Sequence, residues 1–144
     1  MTKLCTFGWR EWVNLPDLGL PMIKAKVDTG ARTSALHAFE LYPFMENGVQ
    51  CIEFSIHPLQ GSSNFVIRCK ANVVDRRFVT DSGGHKEERW VIETPLSIGA
   101  YTWPIEITLT ARHNMKYRML LGRSAIKNRA LVDSSDSYLV GGKP

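Results

Sequence analysis

The sequence has few cysteines, and their spacing excludes the architectures that cysteines usually build. Cys5, Cys51 and Cys69 form an odd set without a CxxC pair, so we expect neither a disulfide framework nor a zinc ribbon. The chain has no run of about 18 apolar residues, and its opening segment, MTKLCTFGWREW, has no continuous hydrophobic stretch. These absences predict no membrane span and no secretory signal, and they favour a cytoplasmic protein with reduced, mostly buried thiols.

Signatures of nucleotide and metal binding are also missing. The chain contains no GxGxxG and no GxxxxGK followed by Ser or Thr, and DSGGHKEE, residues 81–88, does not supply them. The histidines are isolated and none belongs to an HExxH motif; they are His37, His57, His85 and His113. Because a catalytic zinc usually needs three protein ligands, we expect no metal and no cofactor. GRSAI is not a nucleophile elbow either, since Ile126 stands where the second Gly is required.

The chain carries no block of charge of one sign. It has 18 Lys and Arg against 14 Asp and Glu, a net charge of +4 that is scattered along the sequence. This distribution does not indicate nucleic-acid binding and suits an acidic partner at least as well. With 144 residues, of which 44% are apolar, we expect one domain spanning residues 1–144, with GGKP at 141–144 frayed.

Short alternating runs dominate the chain and predict an all-β fold. CIEFSIHPL places Ile52, Phe54 and Ile56 on one face, and FVIRCKANVV and WPIEITLTAR are similar, with a hairpin turn near Gly99. Only GRSAIKN, residues 122–128, is typical of a helix. Many short strands with one short C-terminal helix predict a closed or nearly closed β-barrel. Further strands are expected at 8–15, 20–27, 87–94, 117–121 and 129–133.

One carboxylate, Asp28, lies between a hydrophobic strand and a Thr-Gly turn in KVDTGARTSAL, residues 26–36. Taken alone, this pattern is also typical of a strand that ends in a turn, because Asp caps turns and Gly adopts conformations that other residues resist. A distant segment, YRMLLGRSAI at 117–126, is a hydrophobic strand that runs into Gly122 and the short helix. The ordered pair of elements is more informative than either one.

Together the two elements resemble the core of retroviral-type aspartic proteases. The resemblance extends through GWREWVNLPDLGLPMIKAKVDTGARTSALHA, RRFVTDSGGHKEERWVIET and RMLLGRSAI, which are similar to a bacterial family of retropepsin-like proteins labelled ATP-dependent zinc proteases. Members are often encoded near glutamate-ligating ATP-grasp enzymes. The resemblance implies an acid-protease-like barrel, aspartic endopeptidase activity on a peptide or protein substrate, and a glutamate ligase as a partner. The motifs give little support to the zinc and ATP of the label.

Aspartic proteolysis needs two carboxylates, one ionised to take a proton from water and one protonated to bond to the substrate carbonyl. Two such groups in contact share one proton, because they cannot both ionise. The chain offers only one suitable loop, since Ser135 replaces the required Gly in LVDSSD, after Asp133. We therefore predict a twofold homodimer in which Asp28 meets its own copy.

The resemblance implies a role for each residue around this loop. Asp28 would be the catalytic acid and base, Thr29 would bond across the dimer, and Gly30 would let the backbone approach substrate. Segment 80–89 would be a flap, although a plain exposed hairpin is an equal alternative. The other implied residues are the substrate-binding Lys26, Ala31, Arg32, Gly83 and Gly84, and the supporting Leu120, Leu121, Gly122 and Arg123.

One position departs from the viral pattern. Viral members place an Asp directly after Asp-Thr-Gly-Ala, where it pairs with the Arg that follows the distant Gly; here Arg32 stands at that position and Arg123 follows Gly122. Either Arg123 pairs with another acid, or Arg32 turns into the cleft. Together with Lys24 and Lys26, an inward Arg32 would favour acidic or glutamate-rich peptides. The alternative is that these are solvated surface charges.

Two other functions stay open at this stage. The barrel could be a non-catalytic peptide-binding or regulatory module associated with a glutamate ligase. It could also be the zinc-dependent peptidase of the label. A monomeric protein with separated Asp28 residues would favour the first, and activity that survives chelation would count against the second.

Overall fold

The computed structural model describes residues 4–59, 65–81, 83–111 and 116–140, and most of them lie in β-strands. A 3₁₀ turn, Pro16–Leu18, separates the second and third strands, and a four-residue helix, α1 (Arg123–Ile126), follows the tenth. Within the described ranges no helix combines the length and apolar character needed to cross a membrane. The strands are β1 (Cys5–Phe7), β2 (Arg10–Leu15), β3 (Leu20–Asp28), β4 (Ser34–His37), β5 (Phe39–Glu46), β6 (Val49–Ile56), β7 (Ile67–Thr80), β8 (Lys86–Ile98), β9 (Tyr101–Thr110), β10 (Met119–Gly122) and β11 (Ala130–Val132).

One sheet forms most of the molecule. In the described part of the chain it contains nine strands in the order β2-β3-β10-β4-β9-β8-β7-β6-β5. Strand β2 also pairs with β8 through Asn14 and Ser97, so that the first six strands in this order form a ring. Because one residue pair joins the two ends of the ring, the barrel is nearly closed. The predicted all-β barrel with one short C-terminal helix is therefore confirmed.

The interior is filled by the apolar side chains whose alternation predicted the strands. Ile52, Phe54 and Ile56 of β6 have no exposed surface, and Ile107 of β9 is equally buried. Burying such a side chain stabilises the fold by about 1.5–3 kcal/mol. The hydrophobic period of these segments thus marks the side of the sheet that faces the hydrophobic core, both in β9 of the ring and in β6 outside it.

Three strands were not predicted, and each lacks the periodic signal for a physical reason. All four residues of β4 are buried, so this strand has no polar alternate positions. β5 is the outer strand of the sheet, is mostly exposed and contains Pro43, and β1 has only three residues. β7 extends beyond the predicted residue 74 to Thr80, because its outer part is mostly exposed and polar and gives no hydrophobic pattern. β8 extends beyond the predicted residue 94 to Ile98, where the buried Leu96 and Ile98 continue the alternation past Pro95.

A buried carboxylate holds the segment at Leu139 and Val140 against the barrel. Glu11 of β2 has no exposed surface, and its side chain accepts the N–H groups of Gly8 at 2.6 Å, Leu139 at 2.8 Å and Val140 at 3.0 Å. Charge-assisted bonds of this kind offset the cost of burying a carboxylate. The segment around Leu139 is therefore held against the start of β2.

The thiol of Cys69 supports a pH prediction. No described cysteine forms a disulfide, and Cys69 is buried, with its Sγ donating to the Leu18 carbonyl at 3.4 Å. Burial raises the pKa of the Cys69 thiol from 9.0 to about 11. The unfolded chain then loses this proton near pH 9 while the folded chain keeps it, so the stabilisation is complete below pH 9 and lost as the pH rises towards 11.

We expect the free energy of unfolding of the native protein to fall more steeply between pH 9 and 11 than that of Cys69→Ala. Urea unfolding curves recorded across this range would measure the difference, since groups other than Cys69 titrate alike in both proteins. Parallel pH dependences would show that the thiol proton does not contribute.

Candidate active site

The Asp28 loop is supported by three strands that meet at its base. β10 lies between β3 and β4, parallel to the former and antiparallel to the latter. In this register Gly122 is opposite Asp28, and Leu120 lies between Lys26 and Ala35. The chain that connects β3 to β4 must therefore pass around the end of β10, which gives a ψ-shaped arrangement with Gly122 directly beside the loop.

Gly122 touches the loop so closely that a side chain cannot be placed there. A Cβ on Gly122 would lie 2.5 Å from the carbonyl carbon of Thr33 and 2.8 Å from the nitrogen of Ser34. Its own N–H donates to Ser34 Oγ at 2.9 Å. Since the neighbouring atoms belong to the backbone, they cannot rotate away. The next residue inward, Leu121, is fully buried and anchors β10 in the core.

Asp28 is half-buried at the end of β3, whereas Thr29 and Gly30 are exposed. The N–H of Gly30 donates to Asp28 Oδ1 at 3.1 Å, and the N–H of Ala31 donates to the Asp28 carbonyl at 3.2 Å. These two bonds fold the residues after Asp28 into a tight turn and orient its carboxylate. The loop consequently presents one positioned acid and an open outer edge.

Arg123 holds the same loop from the helix side. Its Nη1 donates to the carbonyl of Thr29 at 3.0 Å and to that of Gly30 at 3.4 Å, and its backbone N–H donates to the Ala31 carbonyl at 2.7 Å. Arg32 is exposed, and its carbonyl accepts the next backbone N–H of α1. Among the described residues neither arginine forms an ion pair. Arg123 thus uses loop carbonyls in place of the acid expected from the viral pattern.

Positive charge lies beside the acid along β3. Lys24 and Lys26 alternate with buried residues and share the outer face with Asp28. Lys26 is paired across strands with Arg10, whose guanidinium lies 4.4 Å from the centre of the Trp9 ring. The sequence analysis did not identify Arg10, because its place beside Lys26 depends on the register between β2 and β3. The pattern of two consecutive strands, which predicts a hairpin, was the one signal that could have indicated this pairing.

The predicted flap segment is the end of the long β7–β8 hairpin. Gly84 has a φ of +84°, and Asp81 Oδ1 accepts the N–H groups of Gly83 and His85, both at 2.9 Å. Ser82 lies outside the described residues. The tip of the hairpin is therefore a turn stabilised by the side chain of Asp81. Its action as a flap over substrate stays a prediction.

The second Asp that follows a hydrophobic strand has a local partner. Asp133 comes directly after β11, and its Oδ1 accepts the hydroxyl of Ser135 at 2.6 Å and the Ser135 N–H at 2.9 Å. These bonds hold the pKa of the Asp133 carboxyl below its ordinary value. Asp133 thus closes its own turn.

The zinc of the family label can be compared with the positions of the possible ligands. His37 is buried in β4, His57 stacks on Phe39, and His85 is exposed at the hairpin tip. Across the described ranges, no three His, Cys, Asp or Glu side chains are grouped so that they could hold a metal ion. His113 lies outside those ranges. The described side chains do not fit a catalytic zinc.

Comparisons with known proteins place the chain among retropepsin-like sequences. The family model described as RimB-like, "Retropepsin-like aspartic endopeptidase RimB", matches residues 6–143. A protein named "Probable alpha-L-glutamate ligase" from Shewanella pealeana is 47% identical over 136 residues, which are 94% of this chain and 30% of the relative. A protein of the same name from Parasynechococcus marenigrum is 48% identical over 141 residues, 98% of this chain and 30% of the relative.

The chain thus spans about a third of the length of these curated relatives. Among solved structures, a Legionella pneumophila protein of unknown function has a TM-score of 0.76 and 25% identity, covering 95% of this chain and 98% of that chain. The similarity therefore includes nearly the whole of both folds.

Proposed function

Because the chain belongs to the RimB-like family of retropepsin-like aspartic endopeptidases, we propose that it hydrolyses peptide bonds as a homodimer. The observation that carries this proposal is the Asp28 loop: a turn-fixed carboxylate with an open outer edge formed by Thr29 and Gly30, and Gly122 packed at its base. Such a loop supplies one half of an aspartic dyad. A second copy of the chain supplies the other half.

The proposed reaction uses the two Asp28 carboxylates as one unit that carries a single proton. The ionised copy takes a proton from water as the water oxygen attacks the carbonyl carbon of the substrate. The protonated copy donates its hydrogen to the carbonyl oxygen. When the tetrahedral intermediate collapses, the C–N bond breaks and the leaving amine takes a proton from the dyad. No covalent bond forms between the enzyme and the substrate.

Two features of the loop support pairing across a twofold axis. The turn bond from Gly30 keeps the Asp28 carboxylate at the loop edge, and Arg123 holds the loop from the helix side. The exposed Thr29 is then free to bond to its own copy. Asp133 offers no internal substitute, because its carboxylate closes a turn with Ser135.

We further propose that the preferred substrate is acidic. Lys26 and its cross-strand neighbour Arg10 place positive charges on the strand pair that leads to Asp28. A cationic site of this kind would bind carboxylate side chains of a substrate. The names of the curated relatives suggest a glutamate ligase as a partner, and its glutamate-bearing products would be suitable peptides.

A second candidate function follows from the length of the relatives. In proteins named as ligases, a segment like this chain makes up 30% of the whole. The barrel could serve there as a peptide-binding module that presents a substrate to the ligase. It would then bind acidic peptides without cleaving them.

A cleavage assay over a series of protein concentrations separates the two functions. Glutamate-rich and neutral peptides of equal length would be incubated with the purified chain, with and without a chelator. We expect cleavage whose rate per chain rises with concentration as dimers form, and a rate about tenfold higher for the glutamate-rich peptide. Binding without cleavage at every concentration would favour the module, and equal rates for the two peptides would remove the acidic preference.

A further inference from the structure

We propose that Arg89 is a positioning residue for the Asp28 loop, which it controls from the β7–β8 hairpin through Thr108 and Ser34. The inference rests on the proposed function, since it concerns the same site. Arg89 is only 5% exposed, although it belongs to the hairpin that ends in the exposed turn at Gly84. A buried guanidinium at the root of this hairpin therefore needs an explanation.

Three hydrogen bonds, the last two of which are joined through the covalent bonds of Ser34, lead from Arg89 to the base of the loop. Arg89 Nη1 donates to Thr108 Oγ1 at 3.3 Å, and the Thr108 hydroxyl donates to the Ser34 carbonyl at 3.1 Å. Ser34 Oγ in turn accepts the N–H of Gly122 at 2.9 Å. Because Gly122 is opposite Asp28 in the β3–β10 register, the series ends beside the proposed catalytic acid.

In each hydrogen bond of this series, the chemistry of the groups decides which one is the donor and which one is the acceptor. Arginine can only donate, so Thr108 Oγ1 must accept from it, and the single hydroxyl hydrogen of Thr108 is then used on Ser34. Thr108 is 1% exposed and Ser34 is fully buried, so water does not compete for these bonds. This buried series of hydrogen bonds is therefore more rigid than one on the surface, where water would compete for the same donors and acceptors.

The other end of the series lies at the hairpin surface. Arg89 Nε bonds to Glu87 Oε1 at 3.1 Å, and the Glu87 side chain is 40% exposed. Arg77, directly opposite Arg89 in the hairpin, is held separately by Asp75 and Glu106 at 2.8 and 3.0 Å. The two arginines therefore pair with different acids, Arg89 with one and Arg77 with two, and Arg89 remains oriented towards Thr108.

The energetics of burial also favour a role for Arg89 beyond packing. Burying a paired charge is often no more stabilising than a well-packed apolar side chain of the same volume. Val91, two residues along β8, shows that the same face accepts an apolar side chain, since it is fully buried. The guanidinium supplies something that Val91 does not: a fixed donor that reaches diagonally across the strands to Thr108.

Arg89 would therefore set the position of the loop according to the position of the hairpin. A shift of β8 at Glu87 and Arg89 would be passed through Thr108 to Ser34 and Gly122. None of these groups needs to touch the substrate. Their loss should lower kcat, because the carboxylate is misplaced, and leave KM nearly unchanged.

The test compares Thr108→Val, which keeps the shape and removes the hydroxyl, with Thr108→Ser, which keeps the hydroxyl. We expect Thr108→Val to lower kcat about tenfold with KM within about twofold, and Thr108→Ser to retain most of kcat. Arg89→Met combined with Thr108→Val should cost no more than the larger single effect, since both interrupt one series. Equal kcat for the valine and serine variants would overturn the proposal.

Hydrogen exchange at the Gly122 amide gives a second readout that does not require catalysis. We expect this amide to exchange faster in Thr108→Val than in Thr108→Ser, measured far below the unfolding temperature of both. If the native protein cleaves no peptide, the proposed function fails, but exchange still decides whether the series holds the loop. Identical exchange in the two variants would refute the link to Gly122, even for an active enzyme. The Thr108 pair keeps the test valid if Arg89→Met does not fold.

Discussion

Asp28→Asn should lower kcat/KM for peptide hydrolysis by about 10³-fold or more while the protein stays folded. An amide can neither take a proton from water nor give one to the substrate carbonyl in the role of a carboxylic acid, and acid–base assistance of this kind contributes about 10²–10⁴-fold per group. In a homodimer the substitution removes both groups. The amide oxygen of the substituted side chain would still accept the Gly30 N–H, which bonds to Asp28 Oδ1 in the native loop, so the urea unfolding curve should change little.

Mixing the variant with native protein separates a shared dyad from two independent sites. If equal amounts exchange subunits at random, about one quarter of the dimers contain two native copies of Asp28. Activity should then fall to about a quarter of that of the same total amount of native protein. A fall to about one half would show that each chain works by itself and would contradict the dyad.

Asp133→Asn is the matched control for this substitution. Asp133 also follows a hydrophobic strand, but its carboxylate bonds to Ser135 in its own turn. The same chemical change should therefore leave peptide hydrolysis close to the native rate. Loss of activity in this variant would indicate that the site also involves the two-stranded parallel sheet that β1 forms with β11.

The parts of the fold that sequence could predict are those that repeat along the chain. Alternation in β6 and β9 follows directly from the side of the sheet that faces the core, where Ile52 and Ile107 are fully buried. β5 could not be recognised in this way, because an outer strand with little burial has little hydrophobic period. Hydrophobic periodicity arises where buried and exposed residues alternate. A strand that is buried throughout or exposed throughout has no such period and cannot be predicted from it.

The residues of the candidate site likewise fall into two groups, those that the sequence could predict and those that it could not. Asp28 and Gly122 could be located because each stands at a change of local pattern, from strand to turn and from strand to helix. Arg10 and Arg89 could not, since what matters about them is a partner on another strand: Lys26 for one and Thr108 for the other. The register between two strands is set when the sheet forms, so it cannot be predicted from the sequence of either strand alone.

With Arg32 in place of the acid of the viral pattern, the ion pair to Arg123 is lost, but the Asp28 loop is still held in position. Where the viral pattern has an acid, the exposed Arg32 leaves Arg123 without that partner. Arg123 instead donates to the carbonyls of Thr29 and Gly30. The guanidinium thus stabilises the same loop through backbone dipoles, which do not depend on the residue at position 32.

Gly122→Ala should destabilise the protein by about 3 kcal/mol or more, equivalent to a fall in Tm of about 10 °C for a chain of this size. The added Cβ would lie 2.5 Å from the Thr33 carbonyl carbon and 2.8 Å from the Ser34 nitrogen. Both atoms belong to the backbone, so relief requires the loop or β10 to move. Because Gly122 is opposite Asp28, that movement should also reduce peptide hydrolysis in whatever fraction remains folded.

Gly48→Ala is the control that isolates this clash from the general effect of replacing a glycine. Gly48 has a φ of +77° and no atom within 4 Å of the position of an added Cβ, so alanine there meets only backbone strain of about 1 kcal/mol. Thermal and urea unfolding of the two variants should differ by about 2 kcal/mol, with Gly122→Ala the less stable. Equal stabilities would mean that Thr33 and Ser34 do not pack against β10 in solution, and the support of the Asp28 loop would have to come from Arg123 instead.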